Sequence, residues 1–248
     1  MCGRYASSRQ PDDLIEEFEV VHDRTPAPLA ADYNVAPTKE VYAVVERPPS
    51  KDSPEPPERQ LRVLTWGLVP SWAKDPSIGN RMINARMETV AEKPAFKRAF
   101  AVRRCLLPAD GYFEWYPTSQ TNAKGKPVKQ PYFIRPADGG VLAMAGLYEI
   151  WRDPSLADDD PDRFRWTCTV LTTQAEDSLG HIHDRMPLMV ERDRWGDWLD
   201  PRVGGELSLL VPAAPGNLEA YPVSPLVSNV RNNGPELVEP LPLEEAIS

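Results

Sequence analysis

Proline punctuates this chain so densely that a long helix has almost nowhere to run. It supplies 28 of 248 residues, about twice the usual frequency. Each proline fixes φ and removes a backbone donor, so turns and irregular loops are expected in quantity. The apolar segments between them are short, and they lack the strand–helix–strand rhythm of a parallel α/β fold. Strands are expected at 41–45, 61–69, 104–109, 111–116, 132–135, 141–150 and 166–173. The first two would pair as a long hairpin around a loop at 47–60 rich in Pro, Ser and charge. Helices are expected at 11–19, where Pro11 opens an acidic first turn, at 89–100 with a break at Pro94, and at 191–199. Residues 33–38 read as a structured turn, 118–130 and 153–163 as polar loops as flexible as 47–60, and the stretch from Pro235, with 241–248 at its end, as a loosely ordered tail. With 41% hydrophobic residues the chain can bury a core. The expected class is α+β: one domain over residues 1–240, with a curved mixed sheet or barrel-like core flanked by short helices.

Several function classes are disfavoured. Three cysteines, Cys2, Cys105 and Cys168, do not make a disulfide framework, which points to a reducing compartment. No signal peptide and no membrane-length apolar run is read, so a soluble, cytoplasmic protein is expected, with no membrane partner. Phosphate-binding Gly loops, dinucleotide fingerprints, CxxC pairs and repeats are all missing from the sequence. The formal charge of −9 opposes nucleic-acid binding at first sight, but the charge is unevenly distributed. Residues 62–104 carry nine basic side chains against three acids, a net +6 that leaves −15 elsewhere. Such a window could form a face for a phosphate backbone, or simply a solvated helix surface.

Chemistry concentrates at Met1-Cys2-Gly3-Arg4. Removal of Met1 would leave Cys2 with an α-amine and a thiol on adjacent carbons. An α-amine titrates near ~7.7–8.0 and a thiol near ~8.5, and the neighbouring ammonium is expected to pull the thiol lower still. Such an aminothiol can condense with an aldehyde to an imine that closes to a thiazolidine, or it can attack an acyl carbon. Gly3 permits close approach of a substrate, and Arg4 offers a fork for phosphate. Glu114, in Gly-Tyr-Phe-Glu-Trp-Tyr, is a carboxylate among aromatics. Buried, it would have a raised pKa and could move protons; at a strand edge it would merely face water. Asn84 is either a turn amide or a polarising one, and Arg86, two residues on, shares its side of an extended segment. His181 and His183 invite a metal reading, yet His22 is the only other histidine. No metal and no cofactor is expected; one histidine acting as acid or base, or simply holding a loop, fits better.

Taken in order, Met1-Cys2-Gly3-Arg4-Tyr5-Ala6, Tyr33-Asn34-Val35-Ala36-Pro37, Trp66-Gly67, Ile83-Asn84-Ala85-Arg86-Met87-Glu88-Thr89, Asp110-Gly111-Tyr112-Phe113-Glu114-Trp115, Ile182-His183-Asp184-Arg185-Met186-Pro187, and Val223-Ser224 with Val230-Arg231-Asn232-Asn233 resemble the SOS response-associated peptidase (SRAP) family over residues 1 to about 240. The resemblance implies a shield for abasic sites in single-stranded DNA. The mature Cys2 would crosslink to the ring-opened deoxyribose aldehyde as a thiazolidine, with lyase-like and autopeptidase activity. By the same resemblance Glu114 handles protons, Asn84 positions the sugar, and His183 rather than His181 is the family histidine. Arg4, Arg86 and Arg185 fall on phosphate-contact positions, Thr172 on another DNA contact, and Trp72 and Trp115 would pack on sugars or bases. One position departs: Ala73 follows Trp72 where some relatives carry a second tryptophan. The implied partners are single-stranded DNA with abasic sites and, at the replication fork, other proteins, with the chain acting as a monomer. Two rival classes remain open from the residues: an N-terminal-nucleophile amidohydrolase or peptidase using Cys2, and a non-catalytic single-strand binding module.

Overall fold

The computed structural model describes residues 2–49, 53–176, 178–242, 244 and 246–247. Among them are thirteen strands and three short α-helices. The strands are β1 (Tyr5–Ser7), β2 (His22–Asp23), β3 (Asp32–Val35), β4 (Glu40–Arg47), β5 (Glu58–Trp66), β6 (Asn84–Arg86), β7 (Arg104–Ala109), β8 (Gly111–Thr121), β9 (Pro127–Pro136), β10 (Leu142–Arg152), β11 (Phe164–Gln174), β12 (Arg185–Pro187) and β13 (Leu218–Pro222). The helices are α1 (Pro11–Glu17), α2 (Lys97–Val102) and α3 (Trp195–Leu199).

An eight-stranded sheet runs β12-β11-β10-β7-β4-β5-β2, with β6 paired to β11 off this path, and a further parallel pairing of β11 with β5 closes its middle five strands into a barrel. Closure protects the long central strands from presenting open edges. Period-two alternation then decides where each side chain goes. Val41, Ala43, Val45, Leu64, Trp66, Cys105, Leu107, Met144, Tyr148, Cys168 and Val170 form one buried cluster. Their neighbours Tyr42, Val44, Leu61, Leu106, Ala145, Leu147 and Leu171 form another, covered by Leu14 and Phe18 from the α1 region, Ala99 and Phe100 of α2, and Trp195, Trp198 and Leu199 of α3. Gly146 belongs to the first set; a Cβ there would stand 2.8 Å from Cys105 Sγ, so the barrel admits no side chain at that point. A second sheet, β13-β9-β8-β1-β3, lies beside the barrel and holds the N-terminal strand β1 between β8 and β3.

The α+β class, single domain and barrel-like core hold, with several local corrections. The helix expected over 89–100 is a run of turns up to Phe96, and only Lys97–Val102 is α-helical; Pro94 lacks the donor a continuous helix needs. Residues 33–38 are not simply a turn, since Asp32–Val35 pairs with β1. Residues 118–130 are mostly strand: β8 and β9 continue past the sheet as a hairpin with Tyr116 opposite Gln130 and Thr121 opposite Pro127. That projecting part is polar on both faces, which erases the alternation that marks a half-buried strand. The loop at 47–60 shortens to 48–57, because Arg47 and Glu58 are paired strand residues; its positions 50–52 lie outside the described residues. The loop at 153–163 is tied by Asp153 N–H donating to Arg163 O at 2.8 Å, and both side chains are buried. The stretch from Pro235 is anchored too: Leu237 is fully buried, and Leu241 N donates to Pro222 O. Within the expected tail at 241–248, positions 243, 245 and 248 lie outside the described residues.

The basic window is not one face. Arg104 is buried and donates to the carbonyls of Phe100, Ala101, Trp198, Asp200 and Gly204, closing the ends of α2 and α3. Arg103 pairs with Glu149, and Arg62 stacks on the Trp166 ring at 4.3 Å. Lys74, Arg81, Arg86, Lys93, Lys97 and Arg98 remain exposed. Arg104→Met would strand five carbonyls where only some can find water, and each buried orphan costs about 1–3 kcal/mol. It should therefore lower the urea midpoint by the equivalent of about 3–5 kcal/mol, and a loss under 1 kcal/mol would show that the cluster is not structural.

Candidate functional site

The site is assembled where the two sheets meet. Trp66, at the end of β5, is fully buried; its indole N–H donates to Ile83 O at 2.9 Å, and its ring packs on Tyr5 at 5.2 Å. One side chain thus fixes both the segment leading to Asn84 and the strand following Cys2. Immediately after it, Gly67 adopts φ +125, and a Cβ there would strike Gly79 O at 2.7 Å, so only glycine makes this turn.

β6 runs parallel to β11, with Asn84 beside Val170 and Arg86 beside Thr172. Ala85 is buried between them, while Asn84 and Arg86 share the other side, as an extended segment requires. Asn84 Nδ2 donates to Cys2 O at 2.8 Å, which orients the amide. Its Oδ1 is buried and has no hydrogen-bond partner among the described residues. An acceptor left in that state is unusual in a native interior and marks a place for an incoming donor.

Cys2 is fully buried. With Met1 still attached, burial, then the Glu114 charge, pushes the thiol well above the ordinary thiol range; the lowered pKa expected from an adjacent ammonium concerns the chain after Met1 is removed. In the chain with Met1 attached the sulfur is a neutral thiol, not a depressed thiolate. Glu114, on β8, is 4% exposed, and burial pushes its carboxyl up to about 7. The edge-strand alternative for Glu114 is thereby excluded. Tyr112 feels both groups: burial first, then Cys2 and Glu114, raise its phenol. Cys2, Asn84 and Glu114 thus come together, although they lie far apart in sequence.

His183 follows buried Ile182 and stands half-exposed before β12. Its Nδ1 accepts the Arg185 backbone N–H at 2.9 Å. That bond needs an unprotonated Nδ1, so the proton sits on Nε2. The 3.0 Å contact of the same Nδ1 with Asp184 would be an ion pair only in the charged form, and burial lowers the imidazole pKa, which favours the neutral ring. His181 is exposed and meets the Tyr116 ring edge-on at 6.5 Å, apart from this arrangement. Among the described residues no group of three His, Cys, Asp or Glu side chains could hold a metal ion, and no helix is long and apolar enough to cross a membrane.

The expected DNA contacts divide. Arg86 and Trp72 are exposed, Trp72 by 59%, although no described contact ties Trp72 to the others. Arg4 is partly internal: Nη1 donates to Asn34 Oδ1 at 2.7 Å and Val227 O at 2.9 Å, with the guanidinium 5.5 Å from the Trp115 ring centre. Arg185 forks onto Glu88 at 2.7 and 3.0 Å and also reaches Thr172 O at 2.7 Å; its hydrogen bond holds the Glu88 carboxyl below the usual range. Thr172, expected as a DNA contact, is 0% exposed in the DNA-free chain. It sits mid-ladder on β11 and its hydroxyl faces Arg185 at 3.3 Å. Three groups escaped the sequence reading. Glu88 and Asn34 were quoted only within motifs, and Lys129 was placed in a loop. The Asn-Ala-Lys-Gly turn at 122–125 is the signal that could have revealed the hairpin carrying Lys129. A groove of about 690 Å³ lined by Leu142, Met186, Met189 and Trp195 holds none of the reactive side chains.

With this geometry in place, the comparisons define the class. A model of the family described as SOS response associated peptidase (SRAP) matches residues 1–230. The chain belongs to that family. It is 36% identical over 242 residues to the abasic site processing protein YoqW of Bacillus subtilis, covering 96% of this chain and 99% of that one. It is 33% identical to the abasic site processing protein YedK of Escherichia coli, covering 97% and 100%, and 28% identical to the abasic site processing protein HMCES of Xenopus tropicalis, covering 95% and 77%. A crystal structure of a Bacteroides thetaiotaomicron protein superposes with a TM-score of 0.77 at 24% identity over 97% of this chain and all of that one, a likeness of fold.

The raised Glu114 carboxyl predicts a pH-dependent stability change. Between the ordinary carboxyl value near 4.5 and about 7, the folded state keeps a proton that the unfolded state releases, so stability falls as pH rises through that window. Glu114→Gln should therefore be more stable than the parent at pH 8 by about 1–3 kcal/mol, with the gap closing near pH 4. Urea midpoints at the two pH values check this; an equal gap at both would mean that the carboxyl is not held protonated by burial.

Proposed function

We propose that the chain captures abasic sites in single-stranded DNA as a covalent adduct of Cys2. The observation that carries this reading is the fixed trio in which Asn84 holds the Cys2 backbone while buried Glu114 lies within electrostatic reach of the thiol. Hydrolysis of the Met1–Cys2 bond consumes one water, releases Met1 and frees the α-amine. That amine titrates near ~7.7–8.0, so roughly a tenth of it is unprotonated at pH 7, when the buried thiol is not ionised. The amine is therefore the first nucleophile.

Its nitrogen adds to the aldehyde carbon of the ring-opened deoxyribose. The resulting carbinolamine loses water to give an imine. The S–H bond then adds across C=N, sulfur to carbon and hydrogen to nitrogen, closing the thiazolidine. The whole sequence loses one water. Glu114, with a pKa of about 7, takes the amine proton as a carboxylate and returns it to the departing hydroxyl. Closure also diverts the imine from β-elimination of the adjacent phosphate, so lyase chemistry is suppressed while the ring stays closed. Asn84 Oδ1 accepts from the amine or a sugar hydroxyl, and His183 Nε2–H donates to the sugar oxygen. Exposed Arg86, with Arg185 held beside it through Thr172 and Glu88, supplies charge for the backbone.

The test is a denaturing gel of protein mixed with an end-labelled single-stranded oligonucleotide carrying one abasic site. The parent protein should give a heat-stable shifted band that an intact oligonucleotide does not. Cys2→Ala and Cys2→Ser, which lose the thiol but keep the amine once Met1 is removed, should lose the heat-stable band and give one only after borohydride trapping. Glu114→Gln should slow crosslinking by about 10²-fold or more and abolish the rise in rate that the parent shows as pH passes about 7 from below. The reading is abandoned if protein shown by mass to have lost Met1 gives no shifted band.

A further inference from the structure

The end of the barrel away from Cys2 gathers cations that the reaction above leaves unused. Alternation turns Arg47 and Arg62 inward. Arg47 follows Val41, Ala43 and Val45 on β4, and Arg62 precedes Leu64 and Trp66 on β5, all members of the interior cluster. Trp166, on β11, packs against the same cluster, and Tyr148 of β10 belongs to it. The two guanidiniums lie against one ring, Arg62 at 4.3 Å and Arg47 at 4.9 Å from the Trp166 centre. Tyr148 stacks on that ring at 5.5 Å and 10°. Arg103 arrives from the start of β7: burial raises the Tyr148 phenol, and the charges of Arg47, Arg103 and Arg62 all oppose that rise. Thr172, beside Arg86, is six residues further along β11, roughly 20 Å away in an extended strand. This end is therefore separate from Asn84 and from the expected DNA contacts.

The neighbouring carboxylates are engaged elsewhere. Glu149 pairs with Arg103. Glu58, opposite Arg47 in the β4–β5 ladder, turns to His22 at 2.6 Å, and Glu46 turns to Arg59 at 2.9 Å. Among the described residues neither Arg47 nor Arg62 has an ion pair, and Arg62 has one polar partner, Gln60 Oε1 at 2.9 Å. Burial, then the charge of Arg47, lowers the Arg62 guanidinium, and Arg24 acts in the same direction. Stacking on an indole orients such forks, but it neutralises neither of them. Like charges crowded in a half-buried place repel one another, and an anion between them removes that cost.

We infer that this mouth of the barrel binds a phosphate monoester, held by the forks of Arg47 and Arg62. Charge selects the class. A phosphate monoester carries about −1.5 to −2 at pH 7 and offers three acceptor oxygens, which matches two unpaired guanidiniums; a carboxylate or an internal phosphodiester brings a single charge. A guanidinium fork takes phosphate oxygens two at a time, and forks already set against a ring lose less freedom on binding. The monoester belongs either to a free mononucleotide-sized ester or to the 5′ end of a strand. The inference stands apart from the capture of abasic sites and does not depend on it.

The experiment titrates the full chain by isothermal calorimetry at fixed ionic strength with inorganic phosphate, thymidine 5′-monophosphate and thymidine. Phosphate and the monophosphate should bind saturably, and thymidine should not. Arg47→Gln and Arg62→Gln, each with the parent's circular dichroism, should weaken the monophosphate at least fivefold. Arg62→Lys, which keeps the charge without the fork, should lose less than Arg62→Gln, and Arg86→Gln should lose nothing. A second arm compares oligothymidylate bearing a 5′-phosphate with the same strand ending in a 5′-hydroxyl. A gain from the phosphate that Arg62→Gln abolishes identifies a strand end as the source; equal binding of the two strands, with the monophosphate still bound, identifies the free ester. The inference is overturned if the parent binds no monoester in either form, or if Arg47→Gln and Arg62→Gln bind it as the parent does.

Discussion

The hydrogen bond from Asn84 Nδ2 to the Cys2 carbonyl, 2.8 Å long, is the constraint on which the site depends. A chain terminus ordinarily frays. Here the second residue is fully buried, and the strand that follows is clamped between β3 and β8. Asn84 can make the bond only because β6 lies parallel on β11, and β11 is itself held parallel against β5 to close the barrel. Trp66 joins these parts from inside, bonding to Ile83 and packing on Tyr5. The reactive end of the chain is therefore positioned by the barrel core, through contacts a few residues long.

Burial is also what sets the chemistry. The same exclusion of water that raises Glu114 to about 7 keeps the Cys2 sulfur as a neutral thiol. A low-pKa thiolate would attack first and indiscriminately; a neutral thiol beside a free amine waits for the imine. In the proposed reaction, selectivity for an aldehyde follows from the order of the two nucleophiles. An abasic nucleotide, having no base, presents that aldehyde at little unstacking cost.

Much of this was legible in the sequence, for physical reasons that differ by residue. Apolar alternation exposed most of the strands, and their lack of helical spacers excluded a doubly wound fold. Glu114 stood out because a carboxylate between aromatics has few bland explanations. The burial of the thiol was not legible because it depends on the barrel and the second sheet meeting over Cys2, which no local pattern encodes. Arg104, counted into the basic window, was misread for the same reason: a basic residue looks solvent-facing until the strand carrying it is found mid-sheet, at 2% exposure. The hairpin with Lys129 was hidden by the reverse effect, since strands projecting beyond the core have no apolar face to announce them.

The central claim is that amine and thiol of one residue act in turn on one carbon. Intact-mass spectrometry of the adduct, taken with and without borohydride, reads this most directly. The account predicts protein lacking Met1 plus oligonucleotide minus one water, with a mass that borohydride leaves unchanged, because the C=N bond has already been consumed by sulfur. An adduct that gains the mass of two hydrogens on reduction would be an open imine, and would contradict the role given to the thiol.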